Sequence, residues 1–189
     1  MDGESVKLAS VTIDPRFRGP PGSGNGGYSC GLLAGFAADV REVRLAIPPP
    51  LGVPLDVCAA DDDVLELRHG DVLVASARSA ELDLEVPPAP THAAAAEAAG
   101  RYAGLREHSF PGCFVCGPAR AAGDGLRVFA GPGPTLPDGR RLYAAPWRPD
   151  ATLAGTRGHV RPEFQWAALD CQGYFALAAT GRTMLLGTL

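Results

Sequence analysis

Residues Gly19–Phe36 read GPPGSGNGGYSCGLLAGF, a glycine- and proline-rich loop that runs straight into a short apolar helix of small residues. A helix begins with backbone N–H groups that have no intrahelical acceptor, and the Gly26-Gly27 pair leaves them open to another molecule. Reinforced by the helix dipole, such amides suit a developing oxyanion. No Gly-Lys-Ser/Thr follows the glycines, so the loop is not a phosphate-binding P-loop. Gly22, Gly24 and Gly27 match the letters of a dinucleotide fingerprint, but no ribose-binding acid follows at the distance a βαβ unit needs. The remaining alternative is structural, with Gly24–Gly27 a tight turn packed against a sheet.

Outward from this stretch, the pattern is that of one helix among strands. Val6–Ile13 is apolar and β-branched. Val40–Ile47 alternates through Val43, Leu45 and Ile47 and stops at Pro48–Pro50. Leu55–Ala60, Val64–Arg68 and Val72–Leu84 read as further strands, with Asp61-Asp62-Asp63 and His69-Gly70-Asp71 as the turns between them. This is an α+β pattern, a helix laid on a curved antiparallel sheet. Pro87–Pro90 ends the unit, and Thr91 caps an alanine-rich linker helix reaching Tyr102. The loop HSFPGCFVCGPARAAGDG then leads to strands at Leu126–Ala130 and Arg141–Trp147, an apolar helix at Glu163–Ala179 and the start of a strand at Thr183–Leu189. The order strand, loop, helix, strand occurs twice, which reads as an internal repeat. Residues 1–86 form a first domain, 87–125 a linker helix and Cys-Gly loop, and 126–189 a second, partial domain. The second copy stops three strands short, so a further C-terminal segment or a partner chain is expected to complete its sheet.

With 189 residues the chain can bury a real core. A net charge of −4 argues against a general nucleic-acid surface. Arginines dominate the positive charge, and a local cluster of them would suit the phosphates of a soluble cofactor. Five cysteines, an odd number, and the charged start MDGESVK predict reduced thiols and a cytoplasmic protein. No apolar run approaches the roughly twenty residues of a membrane span.

Three stretches carry a family resemblance. The glycine-led helix at Gly24–Phe36, CFVCGPARAAGDGLRVF at Cys113–Phe129 and PEFQWAALDCQGYFA at Pro162–Ala176 resemble a tandem (double) hotdog protein of the acyl-CoA thioesterase-like superfamily. The second is similar to the C-F-x-C-G…G-L-x-x-F signature that precedes the hotdog domain in phenylacetyl-CoA-type thioesterases. The third resembles that family's helix with a Leu-Asp pair. The resemblance implies a hotdog fold, a helix wrapped by a curved antiparallel sheet, in tandem with an incomplete second copy. In the family a His-Gly-Gly opens the central helix and a carboxylate stands nine positions after the histidine. Here the first half has Asn25-Gly26-Gly27 but Ala34 at the carboxylate position, whereas the second half has Asp170 but Arg161-Pro162-Glu163 in place of the glycine motif. Because family sites form between two hotdogs, the resemblance implies one composite site of Asn25, Gly26 and Gly27 against Asp170. The companion pairing of Arg161 with Ala34 is expected to be dead.

Asp170 also stands out on physical grounds, since Asp is a poor residue inside a helix. It lies about 140° round the helix from Gln165, off the Gln165–Gln172 polar stripe and among Trp166, Gly173, Tyr174 and Leu177. An acid on such a face tends to a raised pKa and suits general-base or nucleophile work, the alternative being an Asp held by a local hydrogen bond. The implied chemistry is hydrolysis of a small or medium acyl-CoA or acyl-carrier thioester, with Gly26 and Gly27 amides polarising the carbonyl and Asn25 orienting water or substrate. Tyr28, Ser29, Trp166 and His159 are candidate substrate contacts, each with a packing or solvated-loop alternative; Trp147 and Phe164 share the packing alternative. Cys113 and Cys116 have zinc-ligand spacing, but no second pair completes four ligands, so they read as a structural loop. Cys30 and Cys171 read as small buried fillers. The expectation is no resident cofactor or metal, no nucleic-acid or membrane partner, and a homo-oligomer. Two other functions stay open: a catalytically silent acyl-CoA-binding or assembly module, and an enoyl-thioester hydratase.

Overall fold

The computed structural model describes residues 5–39, 41–61, 63–177 and 184–189. Its first half is an antiparallel sheet with a helix on one face. The strands are β1 (Val6–Thr12), β2 (Arg41–Leu45), β3 (Pro54–Asp61), β4 (Val64–His69) and β5 (Val72–Ser79), in the spatial order β1-β3-β4-β5-β2. Helix α1 (Gly26–Ala34) lies between β1 and β2 in sequence. Strand alternation follows the burial: Val43, Leu55, Val57, Leu65, Leu67, Ala75 and Ala77 form the inner face, and Val74 is buried beside them at the bulge in β5. Strand β5 ends at Ser79, opposite Arg41, the first residue of β2. The expected continuation to Leu84 has no partner strand among the described residues, and Leu82 and Leu84 are exposed.

Helix α1 buries Gly27, Tyr28, Ser29, Cys30, Gly31 and Leu33, because it has protein on two sides. The sheet covers one side, and helix α3 (Pro162–Leu177) packs along the other. Two glycines decide how close the helices come. A Cβ on Gly27 would stand 2.5 Å from the Trp166 carbonyl oxygen and 2.7 Å from Asp170 Cβ. One on Gly31 would stand 2.7 Å from both Glu163 Cα and Trp166 Cβ. As α1 advances from Gly27 to Gly31, its neighbours on α3 retreat from Asp170 to Glu163, so the two helices run antiparallel.

Helix α2 (His92–Gly100) is capped by Thr91, whose hydroxyl accepts from Ala94 N–H. It packs on a two-stranded ribbon of β6 (Gly131–Thr135) and β7 (Arg141–Ala144) through Ala95, Ala98 and Ala144. The expected strand at Leu126–Ala130 is not one. Its Leu126 and Val128 N–H groups donate to the Phe114 and Val115 carbonyls, so it runs along the cysteine loop while the paired strand begins only at Gly131. At the C-terminal end, Thr183 lies outside the described residues, and the following segment adds to the β2 edge. Val43 and Leu45 N–H donate to the Leu189 and Gly187 carbonyls, each at 2.8 Å, with Arg44 and Thr188 paired antiparallel. Among the described residues no helix is long and apolar enough to cross a membrane.

Candidate functional site

The start of α1 is built around one buried side chain. Asn25 sits at the cap in extended conformation, and its Oδ1 accepts from Tyr28 N–H at 2.9 Å. Its backbone N–H donates to the Phe17 carbonyl, and its own carbonyl accepts from both Ser29 N–H and Ser29 Oγ. Gly24 N–H is held by the Pro49 carbonyl, which ties the loop to the turn after β2. The remaining polar end of Asn25, Nδ2, donates to Asp170 Oδ2 at 2.9 Å and lies 3.9 Å from Cys113 Sγ.

Asp170 reaches this cap from α3. Its Oδ2 also accepts from Gly27 N–H at 3.0 Å, a contact that the missing Cβ of Gly27 makes possible. The carboxylate and the amide-bearing helix tip are thus joined within one chain, 145 residues apart for the Asn25 contact. This corrects two expectations. The Gly27 amide is not open, because Asp170 occupies it, and Asn25 is not available to orient water, because both ends of its amide are engaged. Gly26 N–H, in contrast, has no acceptor among the described residues. Burial pushes the Asp170 pKa up from the usual carboxylate range to about 6, with the Gly27 N–H pulling it down, the Cys113 charge adding to the rise and Asn25 opposing it. The low polarity of the site outweighs two hydrogen bonds and a helix tip.

Asn25, Gly26 and Asp170 lie on the wall of a cavity of about 620 Å³. That volume suits a small organic ligand. Phe110, Tyr174 and Leu186 supply apolar wall. The four candidate substrate contacts are not part of that wall. Tyr28 is stacked on Phe17 at 4.3 Å and packed against Phe114 and Phe164, and burial raises its pKa to about 12. Ser29 is fully buried beneath the cap. Trp166 lies against Gly31 on the α1–α3 contact. His159 is exposed in the turn before α3, where its carbonyl accepts from Gly155 N–H. Phe164 is in the core, and Trp147 lines a separate cavity of about 370 Å³ with Arg16, Arg127 and Arg148. Two of those arginines are engaged, Arg16 by Asp124 and Gly123 and Arg127 by the Arg120 carbonyl, which leaves little for an anion.

Sequence spacing missed a second group of residues on the same cavity. Cys171, next to Asp170, brings its sulfur 3.9 Å from Cys113, and the sulfurs of Cys113, Cys116 and Cys171 all lie within 4.8 Å of one another. Cys171 was readable only as a helix filler, since its partners are more than fifty positions away. Cys113 is the thiol that ionises most readily. Donation from the Cys116 and Cys171 thiols holds its pKa down against burial, helped by the Cys116 and Val115 backbone N–H groups, while its two neighbours are pushed up. His108 also lines the cavity; its Nδ1 accepts from Phe110 N–H, and its Nε2 is buried with no partner among the described residues. Compared with family models, with curated proteins and with solved structures, the chain finds no match.

Proposed function

We propose that this chain is a tandem hotdog protein that hydrolyses a small or medium acyl thioester, carried by coenzyme A or an acyl-carrier protein. The observation that carries the reading is the Asp170 carboxylate seated on the start of α1, beside the Gly26 amide, which has no acceptor among the described residues, on the wall of an apolar cavity. The two-copy architecture draws support from paired relations of like kind. The two apolar helices pack antiparallel, and the segment that follows each helix pairs antiparallel with the other, β2 with residues 187–189. A local two-fold would relate both pairs.

In this mechanism Gly26 N–H donates to the thioester carbonyl oxygen, and an amide so placed contributes about 3–4 kcal/mol to an oxyanion-like transition state. Asp170 Oδ2 is fixed by Gly27 and Asn25, and Oδ1 accepts from no described residue. That oxygen would take a proton from water as the water attacks the carbonyl carbon, the C–S bond then breaking and the thiolate leaving with that proton; alternatively it would itself attack the carbon and expel the thiolate, and water would hydrolyse the acyl-enzyme, its proton going to the thiolate. Asn25 acts as a positioning residue, holding the helix cap and the carboxylate together. The test is thiol release from a panel of short, aromatic and long acyl-CoA substrates. Asp170→Asn is expected to lower kcat by about 10²–10⁴-fold, and an unchanged rate would remove the base from the mechanism. A second reading, a silent acyl-CoA-binding module, is favoured by the engagement of Gly27, which leaves one amide where two were expected. Binding of acyl-CoA without turnover across the panel would select it.

A further inference from the structure

Cys113 and Cys116 come from a loop and Cys171 from α3, and all three are buried. The fold brings together three thiols that spacing alone separates into a pair and a stray. Two thiolates each about 2.3 Å from one tetrahedral ion stand about 3.8 Å apart, and Cys113 and Cys171 are 3.9 Å apart. The third sulfur is within 4.8 Å of both. Asn25 Nδ2 approaches the Cys113 sulfur at 3.9 Å. Such N–H donors spread the charge of a metal-bound sulfur. The loop is braced for the purpose: Phe114 N–H donates to the Arg18 carbonyl, and Tyr102 Oη donates to the Cys116 carbonyl at 2.9 Å.

We propose that Cys113, Cys116 and Cys171 bind one thiophilic divalent cation, zinc, with the fourth coordination position open to the cavity that Asp170 lines. Three thiolates select a soft or borderline ion over magnesium or calcium. His108 is not the fourth ligand. Its Nδ1 accepts from Phe110 N–H, so Nε2 carries the proton and has no lone pair for a metal. Water or an exogenous donor fills that position, the arrangement of an open zinc site. The ion would fasten the cysteine loop to α3 at the residue after Asp170, and so would hold the carboxylate in register with the α1 cap. The proposal stands apart from thioester hydrolysis, since it concerns metal uptake.

The test uses the full chain, kept reduced, stripped with a chelator and titrated with cobalt(II). The expected result is one equivalent bound, with an intense thiolate-to-cobalt absorption that zinc bleaches. Cys113→Ser and Cys171→Ser are each expected to lose that absorption, whereas Cys30→Ser and Cys58→Ser keep it. Thermal unfolding of the unaltered chain supplies a readout that needs no variant, because an ion bound only by the folded state raises Tm. Reduced protein that takes up no cobalt, or a Cys171→Ser variant with undiminished absorption, overturns the proposal. So does a Tm indifferent to zinc. None of these outcomes depends on acyl-CoA turnover.

Discussion

At the scale of the residue, Asp170 carries two opposed demands. Burial disfavours its charge, while Gly27 N–H and Asn25 Nδ2 fix one oxygen in place. With a pKa of about 6, the proposed thioester hydrolysis is expected to rise with pH through that value and level off above it, measured as kcat/KM against pH. Stability should move the opposite way. Between the ordinary carboxylate pKa and about 6 the folded state keeps a proton that the unfolded state has lost, so unfolding free energy falls as pH rises through that window. A shift of this size corresponds to roughly 2–3 kcal/mol. The difference in Tm between Asp170→Asn and the unaltered chain should therefore grow in favour of the variant from pH 4 to pH 7. A constant difference would mean that Asp170 titrates normally. Asn25→Ala removes the α1 cap and one donor to the carboxylate together, and a cap alone is worth about 1 kcal/mol. Its expected signature is a lowered Tm with an Asp170 pKa, read from the rate profile, displaced upward.

At the scale of the element, the antiparallel contact of α1 and α3 rests on bare glycine faces. Gly31→Ala places a methyl against Glu163 Cα and Trp166 Cβ, both backbone-proximal atoms that cannot swing away. The overpacking cost of about 1–3 kcal/mol outweighs the gain of about 1 kcal/mol in helix propensity. Gly173, in α3, has no atom of the described residues within 4 Å of its would-be Cβ, so Gly173→Ala is expected to stabilise by about 0.5–1 kcal/mol. Denaturant midpoints of the two variants should move in opposite directions. Both glycines look alike in sequence, GYSCGLL and CQGYF, and only the neighbour across the gap separates them.

At the scale of the whole molecule, residues from both ends of the chain share one sheet and one cavity. The segment at 187–189 extends the β2 edge, while Leu186 forms part of the cavity wall. Removing residues 184–189 is expected to expose the Val43 and Leu45 amides to hydrogen exchange and to lower Tm. Unchanged protection at those amides would show that the pairing adds nothing. The aromatic group of Phe17, Tyr28, Phe114 and Phe164 ties the same parts from inside, joining the stretch after β1, the helix α1, the cysteine loop and α3.

Local chemistry was enough to place α1, the first five strands, the Thr91 cap and an acid out of keeping with its helix, because periodicity, capping residues and proline stops act over a few positions. It also singled out Gly26, Gly27 and Asp170, to which the family resemblance added Asn25. Only the tertiary structure decided what those groups do to one another: that Gly27 and Asn25 are spent on the carboxylate, that the Gly26 amide has no acceptor among the described residues, and that Tyr28, Ser29, Trp166 and His159 lie away from the cavity. It alone joined Cys171 to the Cys113–Cys116 pair. The physical reason is range. A hydrogen bond or a metal site is fixed within about 3–4 Å of space, whereas the partners here are separated by dozens of positions along the chain, where no sequence period operates.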